Sequence, residues 1–260
     1  MIFETHAHYD DRAFDADRDA LLSSMPENGI GCIVNVCADV ESLDTTIALA
    51  KAYPYIYAAV GIHPEYAHRI TPDLLSEVAS LTKYEKTVAV GEIGLDYYWN
   101  KEEDHKQKQR ETLRAQLSIA GETGLPFIIH SRDAAEDTLT IMKDTIKELP
   151  AGGIMHCYSY SLEHAREYLN MGIYLGIGGV VTYKNAQKLK DVVAYAPLSQ
   201  LVLETDCPYL TPVPYRGKRN SSLNLPFIAQ EIAAIKGIPA EEVIRQTEEN
   251  ARNIFKKIRA

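Results

Sequence analysis

Eight short apolar runs, each followed by a stretch of helical periodicity, decide what this chain can fold into. The runs are residues 2–7, 31–36, 55–60, 87–91, 126–130, 153–156, 173–177 and 200–204. Segments such as CIVNV, TVAVG and PFIIH do not alternate apolar with polar. They read as strands buried on both faces, which is how parallel sheets bury their strands. Between them, apolar residues recur at spacings of three and four. Leu139, Met142, Ile146 and Leu149 make one such stripe, and Leu113, Leu117 and Ala120 make another within 101–123. After the eighth run come helical stretches at 225–236, 240–247 and 250–258, the first two opened by Leu225-Pro226 and Ile238-Pro239. Eight strand–helix units in about 250 residues predict an α/β fold, a (β/α)8 TIM barrel, as a single domain over 1–260. An open doubly wound sheet is the competitor, but it normally carries a glycine-rich turn after its first strand. Here His8, Tyr9, Asp10 and Asp11 follow, with no glycine before Gly29.

In such a barrel all strands end on one face, where active sites are built. His6 and His8 close the first run. In a strand, residues i and i+2 share a face, whereas in a helix they diverge by about 200°. The H-x-H pair thus sets two imidazoles side by side, as a metal site needs. Two solvent histidines in a loop would look the same, so the pair alone does not decide. Other strand ends do. Glu92 follows TVAVG, His130 ends PFIIH, His156 ends GGIMH and Asp206 follows LVLET. Four imidazoles and two carboxylates gathered in one place need cations to neutralise and bridge them. The mixture suits Mg²⁺, Mn²⁺ or Zn²⁺. Six donors exceed one tetrahedral site, so two divalent ions bridged by Glu92 are expected at the C-terminal ends of the strands.

Charge limits the partners. Lys plus Arg is 27 and Asp plus Glu is 36, a net charge of −9. That opposes a chain that coats nucleic acid or anionic membrane by global attraction. Much of the acid excess, including Asp10, Asp11, Asp15, Asp17 and Asp19 around the first helix, is expected away from the site. No apolar run approaches the roughly 18 residues of a spanning helix. The start, MIFETHAHYDD, lacks the basic and apolar regions of a signal peptide. Cys32, Cys37, Cys157 and Cys207 form no CxxC motif, so reduced thiols and a cytoplasmic location are expected, with no membrane and no obligate protein partner. Cys157 and Cys207 each adjoin a candidate ligand. As a strand neighbour of His156, Cys157 should face away as a small filler.

The motifs THAHYD (5–10), VGIHP (60–64), VGEIGLDYY (90–98), IIHSRDA (128–134), MHCYS (155–159), GIGGVVTYKN (176–185), LETDCPYLTPVP (203–214) and RGKRN (216–220) run in order through nearly the whole chain. The sequence closely resembles the TatD family of metal-dependent deoxyribonucleases, within the amidohydrolase-like barrels. The resemblance implies metal binding by His6, His8, Glu92, His130, His156 and Asp206, the set already reached from strand ends. It implies a DNA substrate and 3'-5' exonuclease action on single-stranded or frayed ends. Two departures stand out. Glu4 occupies a position where the family usually has Asp, and Ser221-Ser222 follow RGKRN where it usually has Glu-Pro.

Roles follow as expectations. Two divalent ions would acidify a shared water and align it with phosphorus. Asp206 is placed both to bind metal and to take the water's proton, so Asp206 and Glu92 are the expected catalytic pair. Glu204 orients a ligand from behind, or belongs to a polar layer in the barrel. Arg132, Arg216, Lys218 and Arg219 are the expected phosphate partners, with Lys184 on the same face. Ordinary solvated charge is the plain alternative for each of these. His63 contacts phosphate or caps its loop. Tyr97, Tyr98 and Trp99 either stack a nucleobase or pack on the next helix, and packing is expected for Tyr97. A small-molecule hydrolase acting on an amide, lactone or phosphoester remains the alternative function. A metal- or partner-binding barrel without turnover is a third.

Overall fold

The computed structural model describes residues 1–99 and 101–258. Its strands are β1 (Ile2–Ala7), β2 (Ile30–Val36), β3 (Ile56–Val60), β4 (Thr87–Asp96), β5 (Phe127–Arg132), β6 (Gly153–Met155), β7 (Tyr174–Ile177) and β8 (Leu201–Leu203). Each pairs in parallel with the next in sequence, in the order β1 to β8. The helices are α1 (Arg18–Ser24), α2 (Ser42–Ala52), α3 (Pro72–Leu81), α4 (Glu103–Thr123), α5 (Ala135–Thr145), α6 (Leu162–Asn170), α7 (Gln187–Tyr195), α8 (Leu225–Lys236) and α9 (Ala240–Ile254). This is the TIM barrel expected from the alternation of runs.

The ring is nearly closed. β8 is too short to pair fully with β1, and the seam is made just beyond it. Ala7 bridges Cys207, His8 N–H donates to the Cys207 carbonyl at 2.9 Å and Asp206 N–H to the His6 carbonyl at 3.0 Å. Below these bonds the buried Glu4 carboxylate accepts from Thr205 N at 2.9 Å, Thr205 Oγ1 at 2.6 Å, Ser222 Oγ at 2.9 Å and His6 N at 3.2 Å. Burial still pushes its pKa up to about 8. Ser222 also exchanges hydrogen bonds with the Tyr9 hydroxyl. The two departures from the family pattern, Glu4 and Ser222, therefore touch one another.

Two apolar layers sandwich the sheet. Inside the barrel lie Phe3, Val34, Ala59, Ile128, Ile154 and Val202, plugged at the N-terminal end by Ile254, Phe255 and Ile258. The rings of Phe3 and Phe255 stack at 5.9 Å. Outside, residues such as Phe127, Ile129, Met155 and Leu175 meet Leu117, Met142, Val192 and Ile232 of the helices. Each such buried side chain contributes about 1.5–3 kcal/mol. With the floor filled, the cavity lies at the C-terminal mouth. The inward parity that puts Ile128, Ile154 and Val202 on the floor carries His130, His156 and Glu204, two residues on, to that mouth.

Most strands differ from the sequence reading by one or two residues at one or both ends, and three boundaries differ by more. The stretches 240–247 and 250–258 are replaced by the single helix α9, which stops at Ile254. Asn250 does not interrupt it, because its side-chain amide donates to the Leu198 and Leu201 carbonyls at 2.8 and 2.7 Å. Ile146 and Leu149 lie beyond α5, in a tight turn and its cap. β4 runs on to Asp96, because the polar residues past Gly91 remain buried in the sheet. No helix among the described residues is long and apolar enough to cross a membrane.

Candidate metal centre

At the mouth, His6, His8, Glu92, His130, His156 and Asp206 converge around the Glu92 carboxylate. Its Oε2 lies 3.2 Å from His6 Nε2 and 3.6 Å from His8 Nε2. Its Oε1 lies 2.8 Å from His130 Nδ1 and 3.8 Å from His156 Nε2. Asp206 Oδ1 faces both sides, 3.3 Å from His8 Nε2, 3.8 Å from His6 Nε2 and 3.7 Å from His156 Nε2. Donors held at about 2.1 Å from one ion lie roughly 3.0–3.4 Å from each other. The His6–Glu92 and His8–Asp206 spacings of 3.2 and 3.3 Å match that, and the others lie within a few tenths of an ångström of it, between 2.8 and 3.8 Å. Among the described residues four donor groups result: His6, His8 and Glu92; His6, His156 and Asp206; His63, Glu92 and His130; and, behind His156, His156 with Cys157 and Glu204. Asp206 sits just past β8 in a left-handed conformation, φ 56°, a backbone that non-glycine residues adopt at a cost.

The electrostatics fit the same chemistry. Burial pushes the Glu92 carboxyl up, but the surrounding His6, His156 and His130 outweigh it and hold it well below the usual range. Asp206 is lowered too, burial being overcome by His156 and His8. Burial pulls His8, His130 and His156 down, yet their carboxylate partners raise them to about 9, 9 and 10. His6, buried and beside His156, is lowered. A buried site that stabilises this many protonated imidazoles is one where cations belong.

Two of the ring nitrogens turned away from the centre are hydrogen-bonded from behind, whereas His6 Nδ1 is buried with no hydrogen-bond partner among the described residues. His8 Nδ1 meets the Val36 carbonyl at 2.8 Å. His130 Nε2 meets Asp96 Oδ2 at 3.2 Å. His156 Nδ1 lies 3.1 Å from Glu204 Oε1, out of line for a hydrogen bond. That oxygen accepts the Cys157 N–H at 2.6 Å. Glu204 thus lies directly behind His156, both of them buried. Asp96 was missed because its strand was ended at Gly91; positions 92 and 96 share a parity that would have found it.

His63 is present but differently disposed. Its Nδ1 accepts the Glu65 N–H at 3.2 Å, so the neutral ring carries its proton on Nε2, which faces Glu92 Oε1 at 3.9 Å. Burial and then His130 lower it to about 3. It is a fixed hydrogen-bond donor rather than a lone-pair ligand.

A cavity of about 1310 Å³ opens above the centre, and Arg132 and Trp99 line it. Arg216, Lys218 and Arg219 do not. Arg219 pairs with both Asp17 oxygens at 2.7 Å and with the Ala13 carbonyl at 2.8 Å. Arg216 lies over the Tyr183 ring at 4.1 Å and Lys218 over Tyr215 at 5.5 Å. Two placements correct the sequence reading. Asp10 and Asp11 line the cavity with Asp39, Glu41 and Glu65, because the strand-end loops that carry them fold over the mouth. Cys157 also lines it: β6 has ended at Met155, and φ 45° turns the residue toward Glu204. Tyr97 is buried against the next helix, with Lys106 Nζ 5.0 Å over its ring and Arg110 donating to its hydroxyl at 3.3 Å, and that hydroxyl also donates to Asp137 of α5 at 2.7 Å.

The sequence pattern of the TatD-related DNase family matches residues 3–256. The chain belongs to the TatD family. It is 43% identical to the uncharacterized metal-dependent hydrolase YabD of Bacillus subtilis (strain 168), over 98% of this chain and 99% of YabD. It is 32% identical to YcfH of Escherichia coli (strain K12), another uncharacterized metal-dependent hydrolase, over 98% and 96%. The crystal structure of YJJV, a TatD homolog from Escherichia coli K12, superposes with a TM-score of 0.90 at 31% identity and covers 98% of each chain. Organophosphorus hydrolase from Deinococcus radiodurans, at 15% identity and a TM-score of 0.65 over 98% and 92%, shares the fold alone.

Proposed function

We propose that this TatD-family chain is a divalent-metal-dependent deoxyribonuclease, hydrolysing phosphodiester bonds as a 3'-5' exonuclease on single-stranded or frayed ends. One observation carries the reading: the two oxygens of the buried Glu92 face separate sets of imidazoles, the arrangement of a carboxylate that bridges two cations. The names of the relatives, metal-dependent hydrolases in a DNase family, point the same way. His6 and His8 would hold one ion, His130 and His156 the other, with Glu92 between them and Asp206 at their edge. Ions so held supply Lewis acidity toward a phosphoryl oxygen and acidify a water. Asp206 Oδ1, at the cavity floor, would be the group placed to take a proton from the attacking water. His63 Nε2–H donates toward a phosphate oxygen, and Arg132 supplies positive charge at the rim. The thiols, free in all four cysteines, suit a reducing cytoplasm.

The acidic wall of Asp10, Asp11, Asp39, Glu41 and Glu65 favours a second reading, a small-molecule ester or amide hydrolase on the same centre. Labelled single-stranded DNA separates the two. Release of mononucleotides with Mg²⁺ or Mn²⁺, stopped by EDTA, supports the nuclease. Intact DNA alongside turnover of amides or lactones supports the second reading.

A further inference from the structure

The rim of the cavity is chemically one-sided. The loops after β1, β2 and β3 bring Asp10, Asp11, Asp39 and Glu65 to it, and a phosphate chain would be repelled there. The loop after β4 brings Trp99, and the last residue of β5 brings Arg132. Trp99 is the sole tryptophan of the sequence and stands 63% exposed. It meets Tyr98 edge to face, centroids 4.6 Å apart at 87°. Arg132 lies over the Tyr98 ring at 3.8 Å and 5.6 Å from the Trp99 ring. A water-exposed indole held by a neighbouring ring and a guanidinium is a stacking surface with a cation at its edge.

The platform is also tied to the centre. Asp96 Oδ1 accepts the Tyr98 N–H at 2.9 Å, while its Oδ2 faces His130. One buried carboxylate thus sets the start of the aromatic turn and the orientation of a candidate ligand.

We infer that Trp99, Tyr98 and Arg132 form a nucleobase subsite, on which the unpaired terminal base of a DNA strand stacks while its phosphate meets Arg132. This rests on the phosphodiesterase reading and adds to it a side of entry and a reason for preferring single strands. A base inside a duplex has both faces covered, whereas an unpaired end base offers one to the indole. Stacking of this kind is tolerant of sequence, so all four bases should be accepted.

Trp99 reports on its own occupancy. Thymidine 5'-monophosphate added to metal-loaded protein should quench its emission, and deoxyribose 5-phosphate, which lacks the base, should not. Trp99→Ala should raise KM for a single-stranded oligodeoxynucleotide about tenfold with kcat within about twofold, and Trp99→Phe should restore most of the loss. An oligonucleotide with an abasic terminus should not distinguish wild type from Trp99→Ala. DNA cleaved with the wild-type KM by Trp99→Ala, or emission unmoved by nucleotide concentrations that inhibit cleavage, overturns the subsite and leaves the phosphodiesterase standing. Failure of the metal-loaded wild type to cleave DNA overturns both.

Discussion

Glu92 is held between opposing forces, with burial disfavouring its charge and the surrounding imidazoles restoring it. The His8 and His130 rings are in turn fixed from behind, and a metal-binding histidine depends on that support. Asp96→Asn should leave the fold intact but set an amide N–H against His130 Nε2–H. The expected result is roughly 10–100-fold weaker Mn²⁺ binding by calorimetry, with melting of the metal-free protein little changed; unaltered affinity would remove Asp96 from this role. The six candidate ligands were legible because each ends an apolar run and the barrel gathers run ends on one face. Asp96 was not, since GEIGLD looks too polar to be strand. His63 was legible as a site residue, but its role turns on the Glu65 N–H, which no spacing reveals. Cys157 failed for a related reason: parity holds only while the strand lasts.

Among the elements, the runs fixed eight strands and most helices, because a residue buried on both faces of a sheet must be apolar whatever its neighbours are. The ends were less legible. Asn250, read locally, suggests a break, yet it satisfies two carbonyls of the β8 region. The β1–β8 seam rests on Glu4, Thr205 and Ser222, residues some two hundred positions apart that no local pattern joins. Gly176 shows how one strand serves the site. A Cβ there would lie 2.2 Å from Glu204 Oε2, so only glycine leaves room for the carboxylate behind His156. Gly176→Ala should push Glu204 aside and destabilise the protein by about 1–3 kcal/mol, read as a lower urea midpoint together with weakened metal binding. A variant with wild-type stability and affinity would show that Glu204 is not held there.

For the whole molecule, the net charge of −9 takes on a different meaning once mapped. The acids do not avoid the site; several line its mouth, and the RGKR cluster is engaged with Asp17, Tyr183 and Tyr215. Sequence neighbours became dispersed contacts, and distant acids became one wall, because the loops, not the strands, set the rim. The raised histidines give the molecule a pH signature. Their folded pKa values, about 9 for His8 and His130 and about 10 for His156, exceed the ordinary 6.5. They therefore stabilise the metal-free fold fully below about pH 6.5, and that contribution is lost as pH rises toward about 9–10. Chelated protein should lose melting temperature from about pH 7 to 10. Cations compete with those protons, so the gain in Tm on adding Mn²⁺ should grow with pH; a gain that shrinks would mean the imidazoles are not the ligands. The proposed function requires two divalent ions bridged by Glu92 and cleavage of DNA by the protein that holds them. It is tested most directly by titrating metal-free protein with Mn²⁺ while following nucleotide release from single-stranded DNA. Activity that climbs to a plateau at about two ions per chain is the predicted result; a plateau at one ion, or no release with the site filled, would contradict it.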